Sequence, residues 1–265
     1  MKGVEKIIVK KIIESLENGT PAWVSPYRKQ GVPRNGGSGW EYNGINKLFL
    51  SHRNYPSNKY YTFNQIMRNG WAMEKGSKGE FIVAYMSGKR TVEDADGEER
   101  EKSFFTLRYY TVFNESLLTH YEKDSVEILE PLPVPFLSHL KDYINVSSAV
   151  VPNYQPDTHT VQMPNEREFA SKDEYLSTLF HELVHWTMKP LDRKLPYQEE
   201  ELVAEMGAGF LCQEYGVLQN IDNLTAYCNG WLKHCTEKKE TILRAAQLAN
   251  KAVKYLKELG GENEL

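Results

Sequence analysis

The sequence has few cysteines and no long apolar run, and both absences limit what the protein can be. Three cysteines occur in 265 residues, none of them in a CxxC pair, so neither a disulfide framework nor a cysteine zinc knuckle is expected. No apolar run approaches the roughly 20 residues that cross a bilayer, and the charged N-terminus lacks the small-residue cleavage site of exported proteins. These features predict a cytoplasmic protein with no membrane partner.

Charged residues are unevenly distributed along a chain whose net charge is only -4. Residues 1–92 contain 15 Lys and Arg against 6 Asp and Glu, a balance of +9, whereas residues 123–265 contain 14 against 22, a balance of -8. The first part of the chain is therefore suited to bind a polyanion, and the second part is not. A solvated basic surface without a partner is the alternative interpretation.

Apolar spacing and capping signals predict an α+β protein of two domains. Residues 4–16 have helical periodicity, Thr62 and Gln65 match a capping box, and the segments EFIVAYM and SFFTLRYYTVFN are typical of strands. The proline-spaced stretch 123–134 is the predicted linker between domains at 1–122 and 135–265. In the second, mainly helical domain we expect short strands within 147–153 and 159–164, and helices at about 136–144, 171–189, 198–215, 221–234 and 238–259.

The most informative motif is HELVH at residues 181–185, which falls inside a predicted helix. Residues four apart share one helix face, so His181 and His185 can bind the same Zn²⁺ ion. Glu182, one step round the helix, is the candidate catalytic residue that would accept a proton from the attacking water. The motif therefore predicts hydrolysis of peptide bonds in a protein substrate. Two histidines packed or exposed on an ordinary helix are the alternative.

A catalytic zinc site needs a third protein ligand and an open position. The next predicted helix contains Glu201 and Glu205, which lie on one face four residues apart. One of the two would bind the metal, and the other would hydrogen-bond a ligating histidine. Glu199 and Glu200 are better explained as solvated acidic residues at the start of a helix.

Zincins with a glutamate ligand resemble this arrangement, since the first glutamate of a similar motif binds their zinc. The resemblance assigns Glu201 to the metal and Glu205 to the hydrogen bond behind a histidine. A donor for the developing oxyanion is not identifiable from the sequence, and Tyr197 and His234 are the candidates.

Aromatic and basic residues alternate through the N-terminal half. Of the 31 aromatic residues, 18 lie within residues 1–122. Rings that stack on bases and cations that follow the phosphates are typical of sites for single-stranded nucleic acid. The sequence therefore predicts binding of single-stranded DNA, and the alternative for each ring is a place in the domain core. The candidate contact residues are Arg34, Trp40, Tyr42, Asn43, Asn46, Lys47, Lys75 and Lys78.

Several motifs together resemble the ArdC-type antirestriction proteins of plasmids and other mobile elements. They cover most of residues 20–215 and include YNGIN at 42–46, TFNQ at 62–65, YLSTLFHELVHWT at 175–187 and EELVAE at 200–205. The resemblance implies an N-terminal domain that binds single-stranded DNA, a C-terminal zincin-like metallopeptidase domain, and protection of incoming DNA from restriction. Domains of both types also occur in larger mobile-element proteins.

Two functions remain open at this point. One is a zinc peptidase that single-stranded DNA brings to its protein target. The other is a protective DNA-binding module whose zinc site is structural or vestigial. A metal centre that is open to water, with Glu182 facing it, favours the first function, and a closed centre favours the second.

Overall fold

The computed structural model describes residues 3–18, 21, 24, 31–51, 55–93, 99–122, 131–148, 150–219 and 239–262. Helices and mixed sheets both occur there, which confirms the α+β class. The helices are α1 (Gly3–Glu17), α2 (Gly44–Ser51), α3 (Phe63–Arg68), α4 (Lys172–Trp186), α5 (Tyr197–Tyr215) and α6 (Lys239–Leu259). Among these helices, none combines the length and the apolar content that crossing a bilayer requires. The helix predicted for 221–234 lies outside the described residues.

The N-terminal half contains a four-stranded sheet in the order β1-β2-β4-β3. Its strands are β1 (Arg34–Asn35), β2 (Lys59–Thr62), β3 (Glu80–Glu93) and β4 (Glu99–Asn114). β1 is parallel to β2, and the other neighbours are antiparallel. The two predicted strands are confirmed, but β3 and β4 extend further into the polar segment between them, because their backbones remain paired as far as Glu93 and Glu99. The predicted capping box of Thr62 and Gln65 is present at the start of α3.

A smaller sheet in the order β5-β7-β6 packs against α4. Its strands are β5 (Ile144–Val146), β6 (Asn153–Gln155) and β7 (Thr160–Met163), with β5 parallel and β6 antiparallel to β7. The helix predicted for 136–144 is wrong. Two short 3-10 helices, Pro135–His139 and Lys141–Tyr143, occupy this segment, because Ile144 pairs with Val161 in the sheet instead of continuing a helix.

The main core lies between α4, α5 and α6, and α1 packs onto it. Val9, Ile12 and Leu16 of α1 are buried in the same apolar cluster as the C-terminal helices. The main core therefore contains residues from both sides of the predicted linker. The division into two domains at 123–134 remains a prediction. Residues 123–130 of that linker lie outside the described part of the chain.

A buried ion-pair cluster joins the N-terminal half to α5. Lys47 of α2 has its Nζ 3.2 Å from Oε2 of Glu214, and Lys257 of α6 pairs with the other carboxylate oxygen. Burial alone would raise the pKa of Glu214, but the two ammonium groups outweigh burial and hold this pKa below its usual value. A depressed pKa in the folded state means that Glu214 contributes stability at neutral pH and loses that contribution as the pH falls through the folded-state value.

We expect Glu214→Gln to lower the free energy of unfolding at pH 7 by about 3 kcal/mol, because two buried ammonium groups lose their carboxylate. The difference from wild type should shrink as the pH falls below the unfolded-state pKa of about 4.3 and disappear below the lower folded-state pKa, where the wild-type carboxylate is protonated in both states. Urea unfolding at pH 7 and at lower pH measures both effects. Glu258→Gln, which removes an exposed acid of α6, is the matched control. An equal loss in both variants at pH 7 would contradict this role of the cluster.

Candidate functional sites

α4 places the two motif histidines on one face, one turn apart. The helix begins after Ser171, whose hydroxyl accepts a hydrogen bond from the Glu174 N–H, and it continues unbroken through the motif to Trp186. The Nε2 atoms of His181 and His185 consequently lie 3.2 Å apart. Both rings direct these nitrogens toward the start of α5.

Glu201 of α5 completes a cluster of three residues. One of its carboxylate oxygens lies 3.6 Å from Nε2 of His181 and the other lies 3.4 Å from Nε2 of His185. One potential ligand atom from each of the three residues falls within 4.8 Å of the others. Two imidazole nitrogens and one carboxylate oxygen are a donor set that suits Zn²⁺ and related divalent ions. The cluster therefore fits a divalent metal ion.

α5 can approach α4 so closely because Gly207 lies at the crossing point. A Cβ atom on Gly207 would be 2.7 Å from a methyl carbon of Val184, which is closer than two non-bonded carbon atoms can come. Any other residue here would push α5 outward and move Glu201 away from the histidines. The left-handed Gly216 then ends α5, as the sequence predicts.

Each of the two histidines has a carboxylate at its other ring nitrogen. Nδ1 of His181 lies 3.3 Å from Oε1 of Glu205, and Nδ1 of His185 lies 3.3 Å from Oε1 of Glu200. A hydrogen bond at Nδ1 fixes the tautomer and leaves the Nε2 lone pair for a metal. Glu205 thus lies on the Nδ1 side of His181, and Glu201 faces the Nε2 atoms of both histidines. The sequence did not indicate the corresponding role of Glu200 at Nδ1 of His185.

Glu199 and Glu200 are buried, with exposed fractions of 8% and 4%. The expectation that they are solvated is therefore wrong. Nε and Nη2 of Arg193 donate to the two oxygens of Glu200 at 2.8 and 2.6 Å. The same guanidinium also donates to the Thr187 hydroxyl and to the Val184 carbonyl at the end of α4. Arg193 therefore fixes the connection between α4 and α5 and holds Glu200 in place behind the histidine.

Glu182 lies beside the cluster with only 8% of its surface exposed. Burial raises the pKa of Glu182, although the nearby histidines and the Tyr154 N–H of β6 partly oppose this shift. A carboxylate with a raised pKa is suited to accept a proton and pass it on. For Glu201, by contrast, burial is outweighed by the hydrogen bonds of both imidazoles, which lower its pKa.

The two candidates for an oxyanion donor gain no support. Tyr197 is the first residue of α5 and is 77% exposed. His234 lies outside the described residues. The donor therefore stays unassigned among the residues that the structure describes.

The candidate nucleic-acid residues fall into three groups. Trp40 belongs to the exposed group and is 79% exposed. Tyr42 is half-buried, with its ring edge-on to Tyr60. Asn46 and Lys47 form the third group and contact other elements of the fold. The other exposed candidates are Arg34, Asn43, Lys75 and Lys78.

Asn46 and Lys47 do not belong to an exposed contact surface, and this is a correction. The Asn46 side-chain amide exchanges two hydrogen bonds of 2.7 Å with the backbone of Val83 in β3. Lys47 is buried in the ion pair with Glu214. Asn46, the last residue of the YNGIN motif, and Lys47, which follows it, hold α2 against β3 and α5, so their positions follow from packing between elements.

The loop that presents Trp40 is organised by Asn35. Oδ1 of Asn35 accepts hydrogen bonds from the N–H groups of Gly37 and Ser38 at 3.1 and 3.0 Å and from the Gln65 amide at 2.8 Å. The Asn35 N–H donates to the Trp40 carbonyl at 2.8 Å. A loop fixed by these hydrogen bonds therefore displays the Trp40 indole ring to solvent.

Two family models match the chain one after the other. Residues 2–113 match the N-terminal domain of the anti-restriction factor ArdC, and residues 136–248 match a zincin-like metallopeptidase domain. The chain is an ArdC-type protein. Together with the helix-borne motif, the second match gives this ArdC-type chain a zincin-like metallopeptidase domain.

Solved structures of the antirestriction protein ArdC from plasmid R388 resemble the whole ArdC-type chain. The metal-free form has a TM-score of 0.79 at 29% identity and covers 100% of both chains. The Mn(II)-bound form has a TM-score of 0.72 at 29% identity and covers 99% of this chain and 100% of that one.

Two Escherichia coli proteins named DNA primase TraC are also similar. They are 27% identical over 295 residues and 28% identical over 284 residues, covering 96% and 92% of this chain. The chain spans only 20% and 26% of the length of these relatives.

We expect Glu200→Gln to weaken binding of Zn²⁺ by about 10- to 100-fold, because the amide no longer stabilises His185 as a carboxylate does. Competition titration with a chromophoric chelator measures the affinity. Glu199→Gln is the matched control, since it removes the neighbouring buried carboxylate without touching either histidine. Equal losses in the two variants would show that burial of charge, and not the contact with His185, causes the effect.

Proposed function

We propose that this ArdC-type protein binds single-stranded DNA through its N-terminal half, hydrolyses peptide bonds at a Zn²⁺ centre in its C-terminal half, and protects incoming DNA from restriction. The observation that carries the proposal is the cluster of His181, His185 and Glu201 with Glu182 beside it. The similar R388 protein is described as an antirestriction protein and has a Mn(II)-bound structure, which supports a divalent ion here.

The residues of α4 and α5 have different roles in the proposed metal centre. His181, His185 and Glu201 would hold the ion, while Glu205 and Glu200 orient the imidazoles. A divalent ion bound there lowers the pKa of water toward neutrality and polarises a carbonyl oxygen. Glu182 accepts the proton of the attacking water and transfers it to the nitrogen of the leaving amine, and its raised pKa allows it to hold the proton between these two steps.

Zinc is the proposed ion because of the donor set. Nitrogen and oxygen ligands generally bind Zn²⁺ more tightly than Mn²⁺, although affinity in the series of divalent ions is highest for Cu²⁺. Two imidazoles with one carboxylate are also a known ligand set of catalytic zinc in peptidases. Mn²⁺ would occupy the same three residues when zinc is absent.

The alternative of a structural or vestigial metal site is less well supported. Structural zinc sites are closed by four protein ligands. In the described part of the chain, three side chains gather at the site, and a buried carboxylate that no ligand role requires lies next to them. This arrangement resembles a centre that keeps a position for substrate.

The DNA-binding part of the proposal depends on charge and on Trp40. Residues 1–92 carry a balance of +9, and the rigid loop at Asn35 displays the indole ring. Lys75 and Lys78 are exposed in a second loop, where their ammonium groups can reach phosphates. The name of the Escherichia coli relatives, DNA primase, is a further link to DNA.

We expect Glu182→Gln to abolish proteolysis while the protein retains one equivalent of metal, because the residue is proposed as a base and not as a ligand. A peptide-library digestion with mass spectrometry, with and without single-stranded DNA, measures activity, and metal analysis measures occupancy. His181→Ala should lose both properties. If wild type loaded with metal cleaves nothing under either condition, the DNA-binding module without protease activity replaces this proposal.

We expect Trp40→Ala to weaken binding of single-stranded DNA by about 1–3 kcal/mol without changing the salt dependence, because a stacked base loses its partner. Lys75→Gln/Lys78→Gln should instead reduce the log–log salt slope by about 1.4, since each cation contributes about 0.7 on a single strand. Fluorescence anisotropy at several salt concentrations measures both. A fall in melting temperature that parallels the loss of binding in Trp40→Ala would assign the ring to packing.

A further inference from the structure

Helix α6 has a basic exposed face in a part of the chain that is acidic overall. From Thr241 to Leu259 its exposed side chains are Arg244, Gln247, Lys251, Lys254 and Glu258, and its opposite face is buried and apolar. Between residues 244 and 254 this face has three cations and no acid, although residues 123–265 carry a balance of -8. We call Arg244, Lys251 and Lys254 the α6 basic face.

One end of the α6 basic face borders the N-terminal half. Lys254 lines a crevice whose other wall includes Tyr42 and Asn43, two of the candidate nucleic-acid residues. Glu41 is the acid at the edge of this crevice, and Glu214 within it is already paired with two lysines. The basic face is therefore continuous with the surface that we propose to hold single-stranded DNA.

The other end of the α6 basic face reaches the back of the metal centre. Arg244 and Lys251 line a cavity of about 210 Å³ together with Arg193, Lys194 and Asp192 of the segment between α4 and α5. Asp192 is the acid there, and its Oδ1 lies 3.0 Å from Nζ of Lys194. Arg193 is the residue that holds Glu200 behind His185. The α6 basic face thus extends from the N-terminal crevice to the segment that joins α4 and α5.

The helix dipole does not account for two of these cations. Cations are favoured in the last turn of a helix, but Arg244 and Lys251 lie well before the end of α6 at Leu259. Arg244 has its Nη1 3.9 Å from Oε2 of the buried Glu199, at the outer limit of an ion pair, and the Arg244 side chain remains 62% exposed.

We propose that a single-stranded polynucleotide continues from the N-terminal half onto the α6 basic face, with phosphates against Arg244, Lys251 and Lys254. The three residues span about 15 Å of helix, a length that accommodates several phosphates, which repeat about every 3.4 Å along one strand of a duplex. The inference rests on the proposed DNA-binding function and extends it to the peptidase half. Its consequence is that a protein bound to the same strand is held near the metal centre.

The test compares full-length variants in binding a fluorescent oligo(dT) of about 20 nucleotides at several salt concentrations. Arg244→Gln/Lys251→Gln/Lys254→Gln should reduce the log–log salt slope by about 2, because three phosphate contacts are lost. The matched control removes three exposed cations elsewhere in the same half, Lys141→Gln/Arg167→Gln/Lys172→Gln, and should keep the wild-type slope. Arg244→Lys/Lys251→Arg/Lys254→Arg preserves charge and should restore binding.

The outcomes separate this inference from the function on which it rests. A wild-type slope in the triple glutamine variant, with tight binding by wild type, overturns the inference and leaves the proposed function intact. Equal slope losses in the triple variant and the matched control also overturn it, since net charge alone would then explain the effect. If wild type does not bind oligo(dT), both the inference and the DNA-binding function fail. The charge-preserving variant shows whether a loss of binding arises from charge or from a disturbed fold.

Discussion

The close packing of α5 against α4 is the constraint on which the metal centre depends. α4 supplies two imidazoles on one face, but a single helix cannot also supply the third ligand and the groups that orient the rings. Because Gly207 allows α5 to lie directly on Val184, one turn and a half of α5 provides Glu200, Glu201 and Glu205. The middle carboxylate faces both Nε2 atoms, while the outer two reach one Nδ1 atom each.

This arrangement also determines how the centre handles protons. The carboxylates raise the pKa of both histidines despite their burial, so protons and a metal ion compete for the same nitrogens. Arg193 keeps Glu200 ionised as the acceptor behind His185, because its two hydrogen bonds lower the pKa of Glu200. Glu182 differs from its neighbours in that burial dominates and raises its pKa, which separates the proposed base from the proposed ligands.

Much of the site could be predicted from sequence because local spacing determines it. The i, i+4 histidines, the capping box at Thr62 and Gln65, and the glycine that ends α5 all depend on residues within one or two helical turns. Glu200 could not be identified in this way. Its role depends on Arg193, which reaches it across a connection whose path is set by tertiary contacts.

The same distinction explains the errors in the N-terminal half. A lysine and an asparagine in a glycine-rich segment are typical of a phosphate-binding loop, yet Asn46 pairs with the β3 backbone and Lys47 is neutralised by Glu214, which lies 167 residues further along the chain. Composition indicates that such residues are polar and basic, but it does not show which of them face another element. The segment 136–144 was similarly predicted as a helix because the sheet partner of Ile144, in β7, is not visible from local periodicity.

We propose a metal centre that is open to water and takes its ligands from both α4 and α5. X-ray absorption spectroscopy of the zinc-loaded full chain tests it most directly, since zinc–sulfur distances of about 2.3 Å are well separated from zinc–nitrogen and zinc–oxygen distances of about 2.0–2.2 Å. We expect two imidazoles and otherwise only oxygen ligands, with one of the oxygen contributions lost in Glu201→Gln and retained in Glu205→Gln. A sulfur ligand, a third imidazole, or a coordination sphere unchanged by Glu201→Gln would contradict it.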